Sequence, residues 1–420
     1  MLPTSLQNAQ IMLQLNFHRS GRHQLAIPGP SPVPDRVARA ISLPTIDHRG
    51  PEFGALGLKV LAGIKTIFKT QQPVIIYPSS GTGAWEAALV NTLSMGDHVL
   101  MYETGQFATL WKKIADRIGL KTEFIAPAND AGWRHGVDAN LIEARLRADD
   151  GHAIKAVCVV HNETSTGVTS NVKAVRDAID RASHPALLLV DTVSGLGGAD
   201  YEHDAWGADV SIAGSQKGLM LPPGLGFNAL SQKAIAASKT AKLPKAYWAW
   251  DEMLEMNKTG YFPSTPATNL LYGLHEVLDM IAAEGLDTVF ARHQRLAAAC
   301  RAAVGAWGLE VQCLDNACHS PILTGVVMPA GIDADAVRKI AQEEYDTSLG
   351  QGLGKVKGKI FRIGHLGECN DVSLLGTICI VEMSLAKAGV KLMGSGAVAA
   401  METLKTTAST SQPVSLKVAA

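Results

Sequence analysis

Four stretches of the chain hold residue types that can do chemistry. Lys217 is the only charge in "GSQKGLMLPPGLG" (214–226), a loop framed by glycine, proline and apolar residues. An ammonium is costly to desolvate. A lysine held in a dry site loses pKa, and its neutral amine is a nucleophile that forms a Schiff base with an aldehyde. The alternative is a lysine whose stem is covered while its head reaches water. Asp191 ends the apolar run in "LLLVDTVSG" (187–195). An acid at the carboxyl end of a buried strand can bind a metal, act as a base, pair with a ring nitrogen, or cap a helix. Arg362 lies in a short apolar strand, "FRIGHLG" (361–367). Its planar fork suits bidentate capture of a carboxylate, or an internal ion pair.

The fourth stretch is "YPSSGTGAWEAAL" (77–89). A strand ends at Tyr77, a loop carries Ser79, Ser80, Gly81, Thr82 and Gly83, and a helix starts near Ala84. Hydroxyls and free N–H groups at a helix start hold an anion, most often phosphate, although an ordinary strand–helix turn has the same look. No Gly-Lys-Ser/Thr closes the loop, so it is not a P-loop. Glu86 stands where a dinucleotide fingerprint wants a third glycine. Glu103, about 20 residues on, occupies the place of a ribose-binding acid. A nicotinamide-dependent oxidoreductase is therefore a rival reading of this loop, but it leaves Lys217 unexplained.

Taken together, a phosphate cradle, an acid for a ring nitrogen, an amine nucleophile and a carboxylate fork describe one cofactor. Pyridoxal 5'-phosphate needs its phosphate anchored, its pyridine nitrogen kept protonated by a carboxylate, and its aldehyde attached to a lysine.

The elements that must position these groups are legible as strand–helix alternation from about residue 54. "GALGLKVLAGIKTIF" spaces Leu58, Leu61, Ile64 and Phe68 as a helix. Strands are expected at 74–77, 98–102, 156–160, 186–191 and 209–214, apolar without polar alternation, as in strands buried on both faces. This predicts an α/β fold with a mainly parallel sheet. After residue 285 a long helix leads into "PILTGVVM", "DADAVRKIAQEEY", "KIFRIG" and "DVSLLGTICIVEMSLAKAG", read as a βαβα unit. The expected organisation is an N-terminal arm (1–20), a large cofactor-binding domain (21–284), a smaller C-terminal α/β domain (285–402) and a flexible tail (403–420).

Composition narrows the function classes. The 420 residues are 47% hydrophobic and 18% charged, and the formal net charge is -1. A nucleic-acid or anionic-membrane partner would need a basic excess. The six cysteines form no paired framework, so a cytoplasmic protein is expected. "CLDNACH" (313–319) lacks two further ligands at zinc spacing, so no metal is expected.

The chain resembles the class V aminotransferases of pyridoxal-phosphate fold type I, and within them the serine–glyoxylate and alanine–glyoxylate aminotransferases. The resemblance runs from "GRHQLAIPGPSPVPDRV" to "MGSGAVAA" and is densest in "SSGTGAWEAAL", "VVHNETSTGVTS", "GSQKGLMLP" and "KIFRIGHLG". It implies a seven-stranded, mainly parallel sheet in the large domain and a homodimer with its active site at the subunit interface. It implies that Lys217 holds the cofactor and Asp191 its ring nitrogen, with Ser80, Gly81, Thr82 and Gln216 on the phosphate. Phe107 and Val193 would face the ring, Thr164 would reach its oxygen, and Thr265 would cross from a neighbouring subunit. Arg362 would clamp the substrate carboxylate, with Gly29 lining the pocket. The resembling enzymes move an amino group from a small L-amino acid to glyoxylate, and serine is the donor expected first.

Two departures bear on the donor. Gly195 stands where these enzymes carry a serine, and Ser264 where they carry a tyrosine, and both changes predict a wider pocket. "DHRGPEF" resembles the stretch with which phosphoserine aminotransferases hold a phosphate. It offers His48 and Arg49 as a cationic handle for a donor's side-chain acid, unless Arg49 only pairs within the subunit contact. Aspartate is thus the alternative donor and alanine the third.

Overall fold

A computed structural model describes residues 20–127 and 133–406. Its larger sheet has seven strands. Across the sheet these are Val74–Ser79, Gly224–Leu230, Val210–Gly214, Leu187–Asp191, Ile154–Val160, His98–Tyr102 and Lys121–Ile125. Only Gly224–Leu230 runs antiparallel to its neighbours, so the sheet is mainly parallel as expected. Helices cover it, and each central strand is buried along its length. That double burial explains the unbroken apolar runs in the sequence. Helix Pro51–Phe68 opens with proline in its first turn and buries Leu61, Ile64 and Phe68. Leu58, expected on the same face, is exposed.

The smaller sheet has five strands in the order Gln24–Ala26, Thr347–Gln351, Ile360–Gly364, Leu323–Val327 and Glu310–Val311. It is antiparallel except where Gln24–Ala26 joins Thr347–Gln351 in parallel. Two features differ from the sequence reading. Residues 24–26, within the span assigned to the large domain, add an edge strand to this smaller sheet. The strand Thr347–Gln351 falls between two elements read as consecutive, so the unit is not a simple βαβα. "TSLGQ" has no apolar β-branched run to announce a strand.

The expected N-terminal arm lies outside the described residues, except residue 20. Helix Gly396–Thr406 includes the first four residues of the expected tail, and the remainder lies outside the described residues.

Candidate active site

Three of the four stretches end at the carboxyl edge of the larger sheet, and the smaller sheet supplies the last. Lys217 follows strand Val210–Gly214 and is buried. Its Nζ donates to the Pro28 carbonyl at 2.6 Å, and Ser31 Oγ donates to the Lys217 carbonyl at 2.9 Å. Gly29 passes so close that a Cβ would lie 2.3 Å from Lys217 Cδ. Its φ of +108° also favours glycine. Burial brings the Lys217 ammonium down to about 8, Arg362 pushes the same way, and Asp191 opposes.

Asp191 closes strand Leu187–Asp191 and pairs in register with Val160 and Ile212. Its Oδ1 accepts the Val193 N–H at 2.7 Å. Burial pushes the carboxyl up to about 7; the Val193 N–H pulls it down and the charge of Glu163 pushes it further up. Lys217 and Asp191 lie close enough for each charge to act on the other.

Arg362, in strand Ile360–Gly364, is held by two carbonyls rather than by an acid. Its Nε donates to Gln351 O at 2.8 Å and its Nη1 to Thr164 O at 2.7 Å. Nη2 makes no hydrogen bond to a described residue, and no salt bridge joins Arg362 to one. Burial lowers the guanidinium to about 10, and Glu163 counters it. A buried fork aimed by backbone and paired with no acid is built for an incoming carboxylate.

Sequence reasoning missed Glu163. It is fully buried in "HNETSTG", two residues after the strand Ile154–Val160 and His161. Its carboxylate accepts Ser165 Oγ at 2.6 Å, Ser165 N at 3.1 Å, and the Phe107 and Ala108 amides at 3.3 Å each. Those two amides open helix Gln106–Arg117, so the acid sits on the positive end of that helix and fixes Phe107. The Phe107 ring stands edge-on to Trp85 at 6.5 Å, and Trp85 stacks on Trp111 at 5.9 Å. The available signal was the charge itself: an acid following a five-residue apolar run needs a partner, just as Lys217 does.

The fit of the chain to pyridoxal phosphate rests on an orphaned group and a cradle. Gln216 Oε1 is buried without a hydrogen-bond partner. A Cβ on Gly214 would fall 3.0 Å from Gln216 Oε1, 3.4 Å from the Gly81 nitrogen and 3.4 Å from Val193 Cγ1. Three of the residues expected around the cofactor therefore converge on one small space at a helix start. Ser80 caps that helix, Gly81–Thr92, its side chain accepting from Gly83 N at 3.5 Å. Thr82 is exposed in the first turn. Thr164 is buried beside the Arg362 contact. These residues fit the group.

Thr265 and Arg49 are both exposed, unlike Lys217, Asp191 and Arg362. Arg49 and His48 line an open cavity of about 390 Å³ whose other walls include Ser264 and Tyr261. Gly195 does not widen a substrate pocket. A Cβ there would lie 2.6 Å from His161 Nδ1 and 3.1 Å from Thr192 Oγ1. His161 is buried and packs against Tyr201 and Trp206, so it cannot move aside freely. Gly195→Ser is therefore expected to destabilise the protein by about 1–3 kcal/mol, the usual cost of overpacking. A thermal melt checks this, and an unchanged midpoint would contradict it. Glu103 is also spoken for: its Oε1 accepts Trp133 Nε1 at 2.8 Å and pairs with Lys355 Nζ at 2.7 Å. That removes the ribose-binding acid of the nicotinamide reading.

The fold and these residues define a class-V aminotransferase. The chain belongs to that family, whose model, "Aminotransferase class-V", matches residues 40–353. It is 47% identical to the serine–glyoxylate aminotransferase of Methylorubrum extorquens, over 92% of this chain and 97% of that protein. It is 43% identical to the L-aspartate–glyoxylate aminotransferase of Paracoccus denitrificans, over 94% and 99% of the two chains. The crystal structure of ureidoglycine–glyoxylate aminotransferase from Bacillus subtilis superposes with a TM-score of 0.84 at 26% identity, covering 92% of this chain and 99% of that one. The chain is thus an aminotransferase, of a family whose fold is pyridoxal-phosphate dependent.

Proposed function

We propose that this aminotransferase takes the amino group of a small L-amino acid, serine first, and gives it to glyoxylate, yielding a 2-keto acid and glycine. The observation that carries the reading is one juxtaposition: a buried amine of lowered pKa between a buried acid and an arginine fork that no acid neutralises. The names of the similar enzymes support glyoxylate as acceptor and leave serine and aspartate as the leading donors.

Pyridoxal 5'-phosphate, when bound, supplies an aldehyde for the amine and a ring that takes up the electron pair of the broken C–H bond. Ser80, Gly81, Thr82 and Gln216 would hold its phosphate, Asp191 its ring nitrogen, Phe107 and Val193 its faces, and Thr164 its ring oxygen. Lys217 would carry it covalently. Once released, its Nζ takes the proton from the substrate Cα and returns it, which needs an amine that is partly neutral near neutral pH. Arg362 orients both acids by the same carboxylate. Gly29 and Pro28 keep the lysine's path narrow and dry.

Arg362→Lys is expected to raise the KM of donor and acceptor alike by roughly tenfold to a hundredfold. A single ammonium cannot reproduce the fork, and about 1.5–3 kcal/mol of charged hydrogen bonding is lost. Steady-state kinetics with each acid varied in turn tests it; unchanged KM values would place the carboxylate elsewhere.

We further propose a homodimer in the cytoplasm, in which Thr265 reaches the partner subunit's cofactor phosphate. Arg49 would serve the same neighbouring site as a handle for an acidic donor. The exposure of both residues, and the open cavity that Arg49 lines, support this arrangement. The deciding experiment measures the keto acid formed from serine, aspartate and alanine with glyoxylate. Faster hydroxypyruvate formation is expected. Arg49→Ala is expected to slow the aspartate reaction severalfold more than the serine reaction, and an aspartate rate that survives the change removes the handle.

A further inference from the structure

Arg301 has no role in the site above, yet its position needs an explanation. It lies near the end of helix Leu286–Ala306, with Nη1 buried and without a hydrogen-bond partner. No hydrogen bond or ion pair joins its side chain to any described residue. Burial, first of all, lowers its pKa. Most half-buried arginines in this chain are engaged: Arg295 with Asp371, Arg292 with Glu284, Arg134 with Glu310 and two carbonyls. Arg301 instead lines two adjoining spaces. One is an open cavity of about 620 Å³ that it shares with Glu310, Asn316 and His319. The other is a narrow cleft that it shares with His319 and with Thr166 and Gly167.

The charges around it leave room for an anion. Glu310, the acid on the cavity wall, is already bound to Arg134 at 3.0 Å. His319 donates or accepts through Nε2 at the Cys313 carbonyl, 3.2 Å away, and burial followed by the charge of Arg301 lowers its pKa. Asp315, nearby, accepts from Ala317 N and Cys318 Sγ. A guanidinium that gives up much of its hydration and gains no partner is a net cost unless something binds it.

We propose that Arg301 anchors a second binding site, for a small oxyanion of the carboxylate or phosphate class, in the cavity it shares with Asn316 and His319. The edge of the guanidinium away from the buried Nη1, its Nε and Nη2, binds two oxygens of the anion, and the Asn316 amide stands on the same wall as a further donor. The site is distinct from the substrate clamp, although the two share a partition. The turn that contributes Thr166 and Gly167 to the cleft also presents the Thr164 carbonyl to Arg362.

Calorimetric titration of the cofactor-loaded enzyme with citrate and, separately, with inorganic phosphate tests the proposal. The titrations are run in an Arg362→Lys background so that the substrate clamp contributes little. Binding of at least one probe is expected, and which one binds separates carboxylate from phosphate. Arg301→Met keeps the apolar stem and is expected to weaken that binding about tenfold or more. Arg301→Lys keeps the charge without the fork and is expected to weaken it severalfold, which also covers the case in which the methionine variant does not fold. No binding of either probe up to tens of millimolar, or equal affinities with and without the Arg301 change, overturns the site.

Discussion

Lys217→Ala is expected to abolish turnover, with a loss of roughly 10⁴-fold or more, and to abolish covalent attachment of the cofactor. Two functions leave with one amine. The nucleophile that holds the aldehyde is gone, and so is the base that moves the Cα proton, a contribution of about 10²–10⁴ by itself. Nothing near at hand can take over. The contact to Nζ is a backbone carbonyl, which carries no transferable proton. Arg362 stays charged at any working pH. Asp191 would be committed to the opposite end of the cofactor ring. The fold should survive, because alanine removes a side chain that packs on Gly29 and bonds one carbonyl, and takes nothing from the apolar core. Borohydride reduction followed by intact mass measurement should show a cofactor adduct on the wild type and none on the variant. A variant that stays yellow and active would remove Lys217 from the chemistry.

The sequence could show this lysine because its setting was anomalous: a charge among glycines, prolines and apolar residues. Asp191 and Arg362 were legible for the same reason, each a charge in or at the end of an apolar strand. What holds them was not legible. Pro28, Thr164 and Gln351 contribute carbonyls, and a backbone carbonyl has no sequence signature. Pro28 and Thr164 also lie 189 and 198 residues away in the chain from the side chains they hold. Glu163 differs: its motif is visible in the sequence, but the amides that satisfy it, those of Phe107 and Ala108, lie more than fifty residues away and carry no signature. Gly195 differs again. The loss of a side chain was read as gained pocket volume, but volume has a direction, and here the Cα–Cβ vector points at His161. The larger sheet was readable because double burial makes apolar runs; in the smaller one "TSLGQ", an inner strand without an apolar run, hid itself.

Buried charges also explain why the site and the fold are in tension. Asp191, Glu163, Lys217 and Arg362 are all buried, and none forms a salt bridge with another described residue. Each is satisfied mainly by backbone groups, which fix direction without neutralising charge. That leaves each group free to meet the charge of something that binds, at the cost of stability in the chain alone.

Asp191→Asn tests that tension directly. The carboxyl is pushed from 3.8 up to about 7, with burial the main cause. A folded value above the unfolded one means that the native chain holds this proton more tightly. The associated stability is fully present below about pH 4 and is lost as pH rises through 7. The shift spans roughly three pKa units, worth about 4 kcal/mol at 1.36 per unit. Buried His161, His203, His293 and His365, all lowered by burial, favour the native state as pH rises toward 6.5 in both proteins, so the effect is read as a difference: between pH 5 and 8 the melting temperature of the cofactor-free wild type is expected to fall relative to that of the asparagine variant. Lys217 does not obscure this window. Its pKa is lowered to about 8, so its effect is to favour the native state as pH rises from there toward 10.5. Asparagine can still accept the Val193 N–H, so the backbone at the strand end should hold. In the loaded enzyme the same variant is expected to lose roughly 10²–10³ in kcat, the scale of one lost electrostatic partner at developing charge. KM should change little, since the carboxylate clamp at Arg362 is intact. Equal pH slopes in the two cofactor-free proteins would show that another group titrates, and an unimpaired kcat would take Asp191 away from the ring nitrogen.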